Sequence, residues 1–264
     1  MSEKVCVITG GTSGIGKCTA EAMRQKGYAV YELSRRETGV AGFVHIPTDV
    51  TKPEMVDAAI AEVLRQEDHI DVLINNAGFG VSGAVEFTEP AAAKKQLEVN
   101  FFGMVNVCHA VLPVMRGAGH GRIVNLSSVA GVVPIPFQTY YSASKAAINS
   151  YTMALANEVK PFGVQVCAVM PGDIRTGFTA ARQKNPMGDD VYGGRIARSV
   201  AGMEKDEQNG MTPEQAGAFV AHTAMRKSCK PIRTIGLQYK FFHVLSRILP
   251  CRLLNWLVGL LYAK

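Results

Sequence analysis

Short apolar runs alternate with longer amphipathic stretches from the first residues to about residue 225. Runs at 5–9, 29–33, 44–47, 72–75, 122–126 and 164–170 have strand length and little polar alternation. Between them, apolar residues recur at helical spacing near 14–26, 53–66, 91–116 and 141–160. A strand wetted on one face alternates; a strand covered on both faces does not. The pattern therefore predicts an α/β fold, a parallel sheet with helices on both faces. Thr51-Lys52-Pro53-Glu54 has capping-box spacing and predicts a helix opening there. No internal repeat interrupts the order, and 264 residues suit a single domain.

Two stretches depart from this rhythm. Residues 176–212 are rich in Gly, Asn, Asp and Lys and lack sustained periodicity. An irregular segment of that length is a functional lid or is disordered, and a substrate-covering lid is the favoured reading. Residues 1–225, lid included, then form the catalytic domain, and 226–264 form a basic C-terminal helical extension. In that extension, apolar positions 241, 245, 248 and 249, then 253, 257, 260 and 261, mark two amphipathic helices around Pro250. They either pack over the domain or a partner subunit, or lie on a membrane surface or the pocket mouth.

Charge sharpens the picture of the tail. The chain carries +6, yet Gln215 to Lys264 holds eight basic residues and no acidic one. The remaining 214 residues hold 20 basic and 22 acidic. The basic excess belongs to the tail, which argues against a nucleic-acid footprint on the domain. Six cysteines and six histidines show no metal-ligand spacing, so no metal is expected. Reduced thiols, no leader ahead of residue 5 and a longest charge-free tail stretch of 11 residues predict a cytoplasmic protein that does not span a bilayer.

Thr9-Gly10-Gly11-Thr12-Ser13-Gly14-Ile15-Gly16 follows the first strand and opens the first helix. Glycines permit a tight turn and close backbone approach, while a helix N-terminus offers free N–H groups to a phosphate. Tyr141 and Lys145 stand four apart on one helix face. A phenol near pKa 10 is a weak acid-base group at neutral pH, and a neighbouring ammonium is expected to lower it. Tyr140 has Ser144 at the same spacing, so Tyr141 is the candidate.

With Asp49-Val50, Asn75-Asn76-Ala77-Gly78, Asn100, Ser128 and the Pro171-Gly172 to Thr176 segment in order, the chain resembles the short-chain dehydrogenase/reductase family over nearly its whole length. The resemblance implies a single-domain Rossmann-type doubly wound fold and a nicotinamide cofactor. It makes Tyr141, Lys145, Ser128 and Asn100 the catalytic group, Asn100 as a water-linked proton relay or else a buried asparagine satisfied by backbone. Family spacing selects Ser128 over Ser127, which alternation turns the other way. The resemblance assigns cofactor contacts to Gly10, Thr12, Ser13, Gly14, Ile15 and Gly16, and to Asp49, Val50, Asn76, Ala77 and Gly78. Tyr141 and Lys145 join them, with Pro171, Gly172, Ile174 and Thr176.

At the second strand's end, family spacing places Ser34 where NAD enzymes carry an acid, followed by Arg35 and Arg36. A hydroxyl and guanidinium groups suit a 2′-phosphate, so NADP(H) is expected over NAD(H), with Glu32 the competing acid. Val129, Val132, Val133, Ile135 and Phe137 suggest a lipophilic pocket, and the long tail resembles members acting on steroids, retinoids or lipid ketones. The expected activity interconverts an alcohol and a carbonyl on such a substrate. A reductase of acyl-carrier 3-ketoesters or small polar carbonyls and a non-enzymatic NADP-sensing scaffold are the rivals. Helices 91–116 and 141–160 resemble subunit-pairing helices, so a homodimer or homotetramer is expected.

Overall fold

The computed structural model describes residues 3–263; Lys264, counted in the basic tail, lies outside them. In chain order the strands are β1 (Lys4–Thr9), β2 (Tyr28–Ser34), β3 (Val44–Pro47), β4 (Val72–Asn75), β5 (Val81–Ser82), β6 (Gly121–Leu126), β7 (Val164–Met170), β8 (Gln183–Lys184) and β9 (Ile232–Thr234). The helices of the domain are α1 (Gly14–Gln25), α2 (Pro53–Glu67), α3 (Pro90–Leu97), α4 (Gly103–Ala118), α5 (Thr139–Glu158), α6 (Phe178–Ala181), α7 (Arg195–Gln208) and α8 (Pro213–Met225). Two more close the chain, α9 (Leu237–Ile248) and α10 (Cys251–Tyr262).

Seven strands form a parallel sheet in the order β3-β2-β1-β4-β6-β7-β9. The order runs outward both ways from β1 and β4, so a crevice opens at the carboxyl ends where the winding reverses. Strands buried on both faces explain the absent polar alternation. On one face Val56, Val107, Val111 and Ile148 of α2, α4 and α5 pack against Val5, Val7 and Leu73. On the other, Ala20, Met23, Ala216 and Val220 of α1 and α8 pack against Cys6, Ile8 and Ile74.

The predicted helix 91–116 is present but not uniform. A π turn over Glu98–Phe102 joins α3 to α4 and places Asn100 inside the fold. By length and composition the joined helix Pro90–Ala118 could cross a membrane, yet Met104, Val107, Val111 and Met115 pack into the core.

Four expectations are corrected. Strand β9 lies inside the stretch read as a helical extension; it is three residues long with Arg233 at its centre, too short to show a period. The 176–212 segment is not irregular: it holds α7, whose Ile196, Ser199 and Met203 face inward, and β8, which pairs with β5. Lys52, with no side-chain cap, precedes α2, because the Thr51 hydroxyl donates instead to Asp49 Oδ1 at 2.9 Å. A capping box does form at Thr212 and Gln215, opening α8. In the tail, Phe241 and Ile248 point outward, while Leu245 and Leu249 of the same predicted stripe are half-buried.

Candidate active site

The glycine turn has the conformation its sequence demands. Gly10 and Gly14 have φ of +66° and +54°, a region that a side chain disfavours. A Cβ on Gly16 would lie 2.3 Å from both the Gly10 carbonyl and Asn76 Nδ2. Ser13 precedes α1 without a side-chain cap, which leaves first-turn amides available to an anion. Thr12 is buried and Ile15 half-buried behind the turn. This cradle fits a cofactor's phosphates.

Asn76 is spent on structure. Its Nδ2 donates to the Thr9 and Gly10 carbonyls at 3.0 Å, and Thr9 Oγ1 accepts from the Asn76 and Ala77 amides. The end of β4 is thereby stitched to the turn. A residue that sequence reasoning treated as a rival completes the stitching from the other side. Glu32 is 0% exposed, accepts from the Gly11 amide at 2.9 Å and pairs with His45 Nδ1 at 2.5 Å. The β2–β3 register sets Glu32 beside His45, a neighbourhood visible only once the strands are paired. Ser34 Oγ donates to the same carboxylate at 3.3 Å, and Arg35 and Arg36 are exposed at the strand tip.

Beyond β3, burial pushes the Asp49 carboxyl up, but two hydrogen bonds from Thr51 and the Arg35 and Lys52 charges outweigh it and hold it below its ordinary value. Val50 is buried, its carbonyl accepts from Asn106 Nδ2 at 2.9 Å, and its side chain occupies the space that a Cβ on Gly103 would need. Thr176, from the far end of the chain, arrives beside Gly14: a Cβ on that glycine would meet its side chain at 3.5 Å. Ile174 is buried and bridges to Met211. Pro171 accepts from the Val129 amide at 3.0 Å, which ties the Pro-Gly segment to the Ser128 loop.

The four predicted catalytic residues converge at this crevice. Ser128 lies two residues beyond β6 and hydrogen-bonds the Tyr141 phenol, while its Oγ also accepts from the Ala130 amide. Ser127 turns away and donates to the Lys145 carbonyl at 2.9 Å. Lys145 Nζ lies 5.6 Å from the Tyr141 ring centroid and donates to the Leu126 carbonyl at 2.7 Å. A Cβ on Gly78 would lie 3.1 Å from Asn100 Oδ1 and 3.9 Å from Lys145 Nζ, so this glycine gives both groups room. Asn100 exchanges two 2.9 Å hydrogen bonds with the Phe79 backbone and reaches Ser144 Oγ at 3.2 Å.

The expected lowering of the Tyr141 pKa is corrected. Burial pushes the phenol up to about 12, against the pull of the Ser128 hydrogen bond, and burial lowers the Lys145 ammonium to about 8. Desolvation disfavours both charged forms and is the largest influence on each.

Several residues around the quartet were not legible beforehand. Phe178 of α6 packs against Tyr141, the rings tilted by 54° with centroids 5.7 Å apart. Arg182 lies over Phe178 and pairs with Glu207 of α7, which also accepts from Thr179. Tyr239 of α9 covers Gly172 and donates to Asp173 Oδ2 at 2.6 Å. Each is a pairing between distant segments without a local motif.

A doubly wound parallel sheet, a glycine cradle at its switch point and a Ser–Tyr–Lys group beside it define a nucleotide-dependent oxidoreductase site. A family profile described as short chain dehydrogenase matches residues 4–186, and the chain belongs to this family of oxidoreductases, whose fold binds a nicotinamide cofactor. The chain is 40% identical over 268 residues to a 3-ketodihydrosphingosine reductase of Bacteroides thetaiotaomicron, covering 100% of this chain and 99% of that one. It is 32% identical to an uncharacterized oxidoreductase, YbbO, of Escherichia coli, over 96% of this chain and 93% of that one. A crystal structure of a short-chain dehydrogenase from Streptomyces avermitilis superposes with a TM-score of 0.82 at 31% identity, over 92% of each chain.

Proposed function

We propose that this protein is an NADP(H)-dependent oxidoreductase that interconverts a ketone and an alcohol on a long-chain lipid, with Tyr141 as acid and base. The observation that carries the reading is Tyr141 itself: hydrogen-bonded by Ser128, flanked by the Lys145 ammonium and roofed by the apolar Phe178. Similarity to a reductase named for a lipid ketone, extending through the tail, supports the substrate class. Support for NADP(H) comes from β2. Glu32 is enclosed and committed to Gly11, and the tip offers the half-buried Ser34 and the exposed Arg35 and Arg36. No carboxylate of that strand faces a 2′-phosphate, and guanidinium groups bind one well.

The turn 10–16 would hold the cofactor's phosphates, Asp49 and Val50 its adenine end, and Ala77, Gly78 and the Pro171–Thr176 segment its nicotinamide end. Bound there, the nicotinamide supplies the hydride. In reduction, the Tyr141 O–H donates its proton to the ketone oxygen, which becomes the hydroxyl of the product. Ser128 Oγ hydrogen-bonds the same oxygen and fixes its position. The phenolate left on Tyr141 is stabilised by the Lys145 ammonium and regains a proton from solvent. Oxidation runs the same transfers in reverse. With its pKa near 12, Tyr141 is protonated at neutral pH, as a proton donor to a ketone must be.

A panel of 3-ketodihydrosphingosine, a steroid ketone, retinal and an aldohexose, each with NADPH and with NADH, tests this reading by loss of nicotinamide absorbance. Turnover of the long-chain ketone with NADPH supports it. Turnover confined to the sugar, or to NADH, contradicts it.

A further inference from the structure

The C-terminal helix pair is built inside out. On α9 the residues turned toward the protein are mostly polar: Tyr239 bonds Asp173, His243 Nδ1 bonds Thr234 Oγ1 at 3.0 Å, and Ser246 is half-buried beside them, with Leu245 the half-buried apolar residue of the helix. The opposite face carries Leu237, Phe241, Val244 and Ile248, spaced i, i+4, i+7 and i+11, and all four are exposed. Leu237 and Ile248 are 83% and 72% exposed. A helix packed for water alone would reverse this arrangement. Pro250 then redirects the chain into α10, which Val258 and a hydrogen bond from Arg195 Nε to the Ala263 carbonyl hold to the domain. Its exposed residues again include large apolar ones, Leu253, Trp256, Leu260 and Leu261, beside Arg252 and Asn255. Nine of the seventeen large apolar side chains exposed among the described residues fall within these two helices.

Charge selects the occupant of this face. Lys240, Arg247 and Arg252 are exposed on the same two helices, and no acidic residue occurs after Glu214. A second copy seated here by two-fold symmetry would bring identical basic flanks together with no carboxylate to answer them. An anionic bilayer surface offers both an apolar interior and negative headgroups. We propose that α9 and α10 dock the protein onto anionic membrane surfaces, the apolar stripe entering the interface and the three basic residues meeting phosphate headgroups. Each helix is 12 residues long, so the pair lies on the bilayer without spanning it. Because Tyr239 on the inner face of α9 covers Gly172, the docked helix is also a wall of the active-site crevice.

The chain's single tryptophan, Trp256, sits in the proposed interface and reports on it directly. Intact protein is titrated with vesicles of phosphatidylcholine alone and of equal parts phosphatidylcholine and phosphatidylglycerol, following Trp256 emission and co-sedimentation. The expected result is a blue shift and sedimentation with the anionic vesicles, with quenching by lipids brominated in their acyl chains. Replacing Lys240, Arg247 and Arg252 by Glu lowers anionic-vesicle binding roughly 100-fold or more. Phe241→Asp with Ile248→Asp removes it without lowering the melting temperature, since both side chains are exposed. Unchanged emission with the protein left in the supernatant overturns the proposal. So does a blue shift that grows with protein concentration when no vesicles are added, because a second copy would then cover the face.

Discussion

The carboxylate of Glu32 accepts the Gly11 amide proton at 2.9 Å from a position with no solvent exposure. The second strand therefore braces the phosphate turn from beneath. Glu32→Ala leaves the Gly11 amide and His45 Nδ1 without this acceptor in a dry site, at a cost of about 3 kcal/mol. Urea denaturation measures the loss, and NADPH titration of the same variant should show weakened binding. A change below about 1 kcal/mol contradicts the bracing role.

Cofactor choice rests on the tip of that strand. Ser34→Asp combined with Arg35→Ala places a carboxylate where the 2′-phosphate would lie and removes a cation. The ratio of kcat/KM for NADPH over NADH should fall about 100-fold, the worth of one or two charge-assisted hydrogen bonds. An unchanged ratio places the 2′-phosphate elsewhere.

Phe178 lies against Tyr141 and contributes to its burial. Phe178→Ala exposes the phenol, so its pKa moves down from about 12 toward the ordinary 10. The reductive pH profile then has two alkaline limbs, and the higher one, set by the phenol above the limb of Lys145, should shift to lower pH, with KM for a long-chain ketone rising about tenfold through lost apolar contact. A profile that does not move separates Phe178 from the phenol's environment.

Lys145 gives a prediction for both catalysis and stability. Burial lowers its pKa from the ordinary 10.5 to about 8. Above pH 8 the ammonium is lost, so the stabilised phenolate is lost with it and reduction should slow. Between about pH 8 and 10.5 the unfolded chain binds a proton that the folded protein does not. Stability relative to a Lys145→Met variant should therefore rise with pH across that window, by about 3 kcal/mol in all. Chemical denaturation of both proteins at several pH values reads the difference. A difference that stays flat denies the depressed pKa.

Much of this molecule can be read before it is folded, and the limits are instructive. The edges of β4 and β7 coincide with their apolar runs, because strands buried on both faces must be apolar along nearly their whole length, and the edge strand β3, half-exposed, coincides with its run as well. Strand β9 escapes because three residues gain their identity only from pairing with β7. The Thr51 capping box fails because Asp49, two residues earlier, captures the same hydroxyl. In the site, the glycine turn and the Tyr141–Lys145 pair are local spacings tied to chemistry, while Ser128 follows from the family resemblance. Glu32 with His45, Arg182 with Glu207 and Asp173 with Tyr239 are meetings of remote segments. No local pattern announces them.

Tyr141 as the proton donor is the claim on which the rest depends, and Tyr141→Phe tests it with the loss of one oxygen. NADPH binding, followed by fluorescence titration, should be retained, while reduction of a long-chain ketone falls at least about 1000-fold. Binding retained with turnover within about tenfold of the parent would contradict the assignment of Tyr141.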